Sequence, residues 1–372
     1  MWQSLRMKNH KLPGNVRQMT VDWLNNALHS ESSGVVLDSN IASFSFEPLG
    51  EGKGFMNEVV RLTLQTSRGL PSSHLSMVAK FPSQNPEIQA LNERVGADRR
   101  ETMFYQEIAG VTDIPTPDLY FADVDETTGN SVLIIEDLAE ARIGDSVKGC
   151  SMDDVALAIR SLADFQGNWW NNLDGSRYAW LPTKSSDSDV YEQEYAQAWG
   201  LLREKSEGAM PDRLWELGQN LGQHISTIRG HLSGIPATLV HGDYRPDNCF
   251  FGDHQDRRPL TVFDWEYCTE GSGVYDVATF LCEALTREQR SKHELDFLGL
   301  YHSLLMDKGV TGYSFDQCLL DYRWSYLDLM LFWAVIGAPC DWTGTRAKQY
   351  LRNTLERIDG AVHDLDCMKL LF

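Results

Sequence analysis

The 372 residues carry 33 Lys and Arg against 53 Asp and Glu, a net charge of −20, with 42% hydrophobic and 23% charged residues. The length predicts two lobes rather than one core, and the apolar fraction is that of an ordinary globular protein. The acidic balance argues against a nucleic-acid partner, because phosphate backbones are held by clustered Lys and Arg.

In chain order, the first segment, MWQSLRMKNHKLPGN, lacks the apolar stretch of a secretion signal, which predicts a cytoplasmic protein. TVDWLNNAL (20–28) reads as a short amphipathic helix capped by Thr20. SFSFEPLG (43–50) and EVVRLTLQT (58–66) read as strands, and GEGKGFMN (50–57) puts Gly50, Gly52 and Gly54 in the turn between them. LSMVAKFP (75–82) gives a third strand carrying one cation, Lys80. A single helix is expected over 92–110, stopped by Gly110, followed by strands LYFADVD (119–125) and SVLIIEDL (131–138).

These elements predict a five-stranded antiparallel lobe with one main helix over residues 1–138. Beyond it, 139–372 reads as a mainly helical lobe, with helical spacing in 153–172, 191–232 and 288–372. SSDSD (185–189) is expected to be an exposed loop. YLDLMLFWAVIGAP (326–339) contains Asp328 and is too short to span a bilayer, so it reads as a buried helix. Seven cysteines, odd in number and without a C-x-x-C pair, support neither a disulfide framework nor a zinc site.

The chemistry concentrates between two short apolar runs, ATLV (237–240) and LTVFD (260–264). The first ends at HGDYRPDN (241–248) and the second at Asp264. A strand-end carboxylate five residues before an amide, with Pro246 stiffening the turn, can aim both into one crevice. Asp243 can accept a hydroxyl proton, while Asn248 and Asp264 offer the hard oxygen donors that suit Mg²⁺. The stretch resembles a protein-kinase catalytic loop, with Arg245 where a phosphate-contacting Lys often stands.

The first half supplies matching parts in order. Gly50, Gly52 and Gly54 could cover phosphates with backbone N–H groups. Lys80 could contact them, and Glu101 could hold the ammonium, with Glu107 the competing partner. The backbone of Glu136 and Leu138 would hydrogen-bond adenine. Any one feature could be accidental, and Lys80 alone could be a snorkelling surface residue. Five in the right order argue for a kinase-like, bilobal α+β fold.

Gly242 stands where protein kinases have an Arg coupled to an activation loop, and only twelve residues separate Asp264 from Asp276. That leaves no room for a peptide-docking platform, so no protein substrate is expected. HGDYRPDN, FDWEYCTEGSGVYDVATFL and LGEGKGFMNEVVRLTL together resemble the aminoglycoside phosphotransferase/choline kinase group. Within it they are most similar to the ecdysteroid-kinase-like (CHK kinase-like) branch. ETMFYQEIAG, VLIIEDLAEARIGD and LADFQGNWWNN extend the resemblance over about residues 20–335. It implies ATP- and Mg²⁺-dependent phosphorylation of a small-molecule hydroxyl. By resemblance Asp243 is the base, Asn248 and Asp264 are metal ligands, Lys80 contacts phosphates and Glu101 positions Lys80. Asp276 is expected to tie the catalytic loop to the following helix. Gln166 stands where relatives commonly have His, and is expected to pack beneath that loop.

The helical half is rich in Trp and Tyr, which either pack helices or line an acceptor pocket. A steroid-, terpenoid- or polyketide-like alcohol is the acceptor favoured by the subfamily resemblance. Aminoglycosides and choline-like amino alcohols are the alternatives. A nucleotide-binding pseudokinase would be expected to have lost Lys80, Asp243 or Asp264, and none is lost. A metal-dependent phosphohydrolase would want more His and Asp ligands.

Overall fold

The computed structural model describes residues 11–29, 40–50, 57–67, 75–125, 127–139, 141–234, 236–252 and 258–371. The chain divides into two compact units, Met1–Val111 with Thr116–Glu140, and Thr112–Pro115 with Ala141–Phe372. The fold is α+β: a five-stranded antiparallel sheet followed by a mostly helical region.

The first unit opens with α1 (Val21–Leu28), whose N-terminus is closed by the Thr20 hydroxyl accepting the Trp23 N–H at 3.1 Å. The sheet comprises β1 (Ile41–Pro48), β2 (Glu58–Thr66), β3 (Leu75–Phe81), β4 (Leu119–Val124) and β5 (Ser131–Glu136), in the order β1-β2-β3-β5-β4. Alternation in β2 and β3 sends Val60, Leu62, Leu64, Met77, Ala79 and Phe81 into the core. There they meet Trp23, Leu24 and Leu28 of α1, and Trp23 packs edge-on to Phe121 with ring centroids 5.3 Å apart.

The helix expected over 92–110 is instead a pair, α2 (Pro86–Val95) and α3 (Ala97–Glu107). Gly96, at φ 71°, breaks the helix between them, and Pro86 at the first position sets where α2 starts. The apolar spacing runs through this break, which is why the pattern read as one helix.

The second unit is mainly helical. Its first part comprises β6 (Arg142–Ile143), α4 (Met152–Trp169), α5 (Ser188–Lys205), α6 (Asp212–Leu221) and α7 (Ile225–Leu232). The short strands β7 (Thr238–Val240), β8 (Cys249–Phe251), β9 (Leu260–Val262) and β10 (Thr269–Gly271) follow. The chain then closes with α8 (Val274–Ala284), α9 (Arg287–Asp307), α10 (Phe315–Phe332) and α11 (Thr345–Asp364). Strand β10 pairs with β7, and β8 lies between β6 and β9.

Two expectations are corrected here. Ser188 and Asp189, read as loop, begin α5, and Ser188 is buried. The buried helix expected over 326–339 ends as an α-helix at Phe332 and widens into a π-helical turn, Trp333–Gly337. All seven cysteines are free. Among the described residues no helix is long and apolar enough to cross a membrane.

Candidate active site

Strand β7 delivers the backbone into a turn that no regular element could make. Gly242 sits at φ 86°, and a Cβ there would lie 2.1 Å from the Tyr267 carbonyl oxygen. Only glycine tolerates both the left-handed conformation and the close approach. The Asp276 carboxylate, on α8, then fastens the turn. It accepts the N–H of His241 at 2.7 Å and of Gly242 at 2.9 Å. Gln166 Nε2 donates to the same carboxylate at 2.9 Å, while its Oε1 accepts the Tyr301 hydroxyl at 2.5 Å. The amide thus supplies a donor beneath the loop without a titratable ring.

Burial pushes the Asp276 carboxyl up to about 7 against the pull of the His241 and Gly242 N–H groups and of Lys184. With three N–H donors converging on its two oxygens, the geometry satisfies the carboxylate form. His241 is held on both ring nitrogens: Nδ1 accepts the Asp243 N–H at 3.2 Å and Nε2 faces the Phe263 carbonyl at 3.0 Å. Those partners require the proton on Nε2, which makes His241 a brace for the loop.

Asp243 emerges from this frame nearly buried, 6% exposed. Asn248 Nδ2 donates to its carbonyl at 2.9 Å and to its Oδ2 at 3.0 Å, and Arg245 Nε lies 2.9 Å from that same oxygen. Burial drives the Asp243 carboxyl up to about 6, opposed by Arg245 and the Asn248 hydrogen bond and reinforced by the charge of Asp264. A carboxylate poised there has appreciable affinity for a proton near neutrality.

The Phe263 N–H donates to the Asn248 carbonyl at 3.1 Å, which brings the end of β9 beside the turn. Asp264 follows at φ 69°, a left-handed conformation that short polar side chains tolerate and that clusters at functional sites. A Glu266 carboxylate oxygen lies within 4.8 Å of one from Asp264. The Asn248 amide nitrogen is committed to Asp243, so its oxygen is the atom left to ligate. Amide and carboxylate oxygens make a hard donor set that fits Mg²⁺. Glu266 was not singled out from the sequence, and its place directly after FDW was the available signal. Asp247 turns the other way, accepting the Ser146 N–H and an Arg346 guanidinium at 3.0 Å each.

In the first unit, Lys80 on β3 forms an ion pair of 2.6 Å with Glu101 on α3, where Glu101 rather than Glu107 is buried. Asp98, one turn earlier, is also within electrostatic reach of Lys80, although burial still raises its pKa overall. At the end of β5, the Glu136 N–H is taken by the Asp118 carbonyl at 2.9 Å. Leu138 lies beyond the last strand pair, and its backbone makes no hydrogen bond among the described residues. Between them the Asp137 side chain is pinned by Arg61 and Ser76, each at 2.6 Å. Sequence reading missed that brace because its three residues lie on three separate strands or their ends. Gly50 ends the β1 side of the turn at φ 79°, while Gly52 and Gly54 lie outside the described residues.

Residues 51–309 match the ecdysteroid kinase-like family. The chain belongs to that family. Among solved structures it resembles the GDP complex of wild-type aminoglycoside 2'-phosphotransferase-IIIa at 16% identity and TM-score 0.50, covering 88% of this chain and 94% of the other. A mutant of the same enzyme, also with GDP, aligns at 15% identity and TM-score 0.51, covering 88% and 93%. At such identities the likeness establishes the shared fold. No individual curated protein matches the chain significantly. Family membership gives this chain the fold and general type of small-molecule kinases.

Proposed function

We propose that this ecdysteroid kinase-like protein transfers the γ-phosphoryl group of ATP to a hydroxyl of a small, hydrophobic alcohol. The observation that carries the reading is the catalytic turn, where one buried carboxylate is hydrogen-bonded to an amide and flanked by a second carboxylate. In the reaction, the acceptor oxygen forms the new P–O bond, the bond to ADP breaks, and Asp243 receives the hydroxyl proton. Phosphoryl transfer asks the protein mainly for alignment and charge neutralisation. When bound, Mg²⁺ supplies much of that neutralisation at the β- and γ-phosphates, and Asn248 and Asp264 are the residues that would hold it. Lys80, oriented by Glu101, contributes positive charge to the phosphates, with Arg245 adding to it after Asp243. Gly50, Gly52 and Gly54 are assigned to the phosphate-covering turn. Adenine is assigned to the Glu136 carbonyl and the Leu138 N–H.

The test is a mass-spectrometric screen of the protein with Mg·ATP and pooled steroids, terpenoids, amino alcohols and aminoglycosides. Phosphorylated product is expected from the native protein and not from Asp243→Asn, which should still bind Mg·ATP. Loss of nucleotide binding by a folded Asp243→Asn would make Asp243 a ligand rather than the base. Product formed only from aminoglycosides or amino alcohols would replace the hydrophobic acceptor with a cationic one.

A further inference from the structure

The backbone pairing of β3 with β5 stops at Met77 and Glu136, yet the next residue, Asp137, is still tied to β3 by its side chain. Its carboxylate, 4% exposed, accepts the Ser76 hydroxyl and Arg61 Nε on one oxygen at 2.6 Å each, and Arg61 Nη2 on the other at 3.3 Å. The planar guanidinium thus grips both oxygens, which fixes direction as well as distance. Glu136 is clamped from the opposite side. Its N–H donates to the Asp118 carbonyl at 2.9 Å, and its Oε2 accepts the Asp118 N–H at 3.2 Å. Two consecutive residues are therefore held from both neighbours immediately before Leu138.

Side chains alternate along β3, so Met77 and Ala79 enter the core while Ser76, Val78 and Lys80 share the other face. Arg61 lies opposite Val78 on β2 and belongs to that face too. The brace stands about 13 Å along β3 from Lys80, by the rise of a strand, a separation that a nucleoside triphosphate spans between base and outer phosphates. Its outer arm contributes little. Arg61 Nη1 reaches Glu47 at 2.7 Å, but that carboxylate is 62% exposed and screened by water. The buried arm to Asp137 carries the hold.

We propose that the Arg61–Ser76–Asp137 brace fixes the register of the base seat at Glu136 and Leu138, and thereby makes this protein take adenine over guanine. The inference rests on the kinase reading above. Adenine offers a 6-amino donor beside the N1 acceptor, and guanine offers the reverse, a 6-oxo acceptor beside N1–H. A carbonyl at Glu136 and an N–H at Leu138 match adenine. Guanine needs a donor where Glu136 stands, and that N–H is already given to Asp118. The other way to seat guanine is for the segment to slip by one residue, which a clamped Asp137 forbids. A mismatched base leaves buried polar groups unpaired, and this discriminates far more strongly than a missing apolar contact. Asp137 is thus a positioning residue that acts through the backbone of its neighbours.

The test is competition of Mg·ATP, Mg·GTP and Mg·tripolyphosphate against a fluorescent ATP analogue on the full chain. The native protein should favour ATP over GTP by at least about a hundredfold. Asp137→Asn should narrow that ratio at least about tenfold, and Ser76→Ala, which leaves the ion pair in place, by about fivefold. Both should bind tripolyphosphate, which has no base, within about twofold of native. Glu47→Gln, on the exposed arm, should leave all three affinities within about twofold. Equal native affinity for ATP and GTP overturns the proposal, as does an unchanged ratio in the folded variants. So does a parallel loss of ATP and tripolyphosphate, which would make the brace a support for the whole unit. If Asp137→Asn does not fold, Ser76→Ala decides alone. The acceptor screen separates the two readings. Adenine-selective binding without phosphorylated product sinks the kinase reading and leaves the brace its role. Product formed equally well from ATP and GTP sinks that role and leaves the kinase.

Discussion

In the second unit the residues 241–245 leave regular structure and Pro246–Asn248 adds only a single 3-10 turn, whereas in the first unit Lys80 and Glu101 stay within a strand and a helix. The loop is held by side chains that capture its backbone: Asp276 on two N–H groups, His241 on a third, and Asn248 on a carbonyl. The Lys80–Glu101 pair needs no such frame, because β3 and α3 already fix both backbones and one ion pair of 2.6 Å does the rest. Irregular backbone must be satisfied group by group, while regular backbone satisfies itself. The two regions should therefore fail differently when one side chain is removed.

The largest effect is expected from Asp276→Ala. It strands the backbone N–H groups of His241 and Gly242, each at a cost of about 1–3 kcal/mol when buried, and leaves the Gln166 amide nitrogen with the Gly273 carbonyl as its acceptor. A fall in Tm of several degrees should accompany faster hydrogen exchange in a peptide covering 238–248. Native exchange there would show that the loop is held by other means.

The next effect concerns pH. Glu283, also on α8, is fully buried, accepts the Thr354 hydroxyl at 3.1 Å, and is driven by burial up to about 7 from 4.5, against the charges of Arg357 and Arg245. The folded state keeps a proton that the unfolded chain releases, so this contribution is complete below pH ~4.5 and is lost as pH rises through ~7. Glu283→Gln removes it. Relative to the native protein, the variant should gain about 2–3 kcal/mol between pH 5 and pH 8, by the usual conversion of pKa shifts. Denaturant unfolding at both pH values measures this difference, and parallel curves for the two proteins would show that Glu283 is ionised throughout.

The smallest effect belongs to the first unit. Glu101→Gln should weaken binding of a fluorescent ATP analogue by about tenfold, the scale of one charge-assisted contact. Tm should move little, since β3 and α3 keep their own hydrogen bonds. A large drop in Tm with unchanged nucleotide affinity would reverse the contrast, making Lys80–Glu101 the structural pair.

Much of this was legible before the fold was seen. Strand β2 follows from local alternation, β5 from a short continuous apolar run, and the cap at Thr20 and the turn at HGDYRPDN from hydrogen-bonding side chains and glycine, all of which act over a few residues. The break at Gly96 was not legible, because apolar spacing continues across it and glycine within a helical pattern is ambiguous. Nor was the Arg61–Ser76–Asp137 brace, whose members are up to 76 residues apart in sequence.

The sequence by itself determined the chemistry on offer: which carboxylates, amides and cations exist, in what order, and where the chain must turn. Tertiary structure alone decided which of them are held and how. It gave Gln166 its two-sided role between Tyr301 and Asp276, and set Tyr350 against Arg245 across 105 residues. Local residue patterns act through covalent neighbours and short-range hydrogen bonds. Burial, electrostatic neighbours and ring contacts arise only when distant segments share a core.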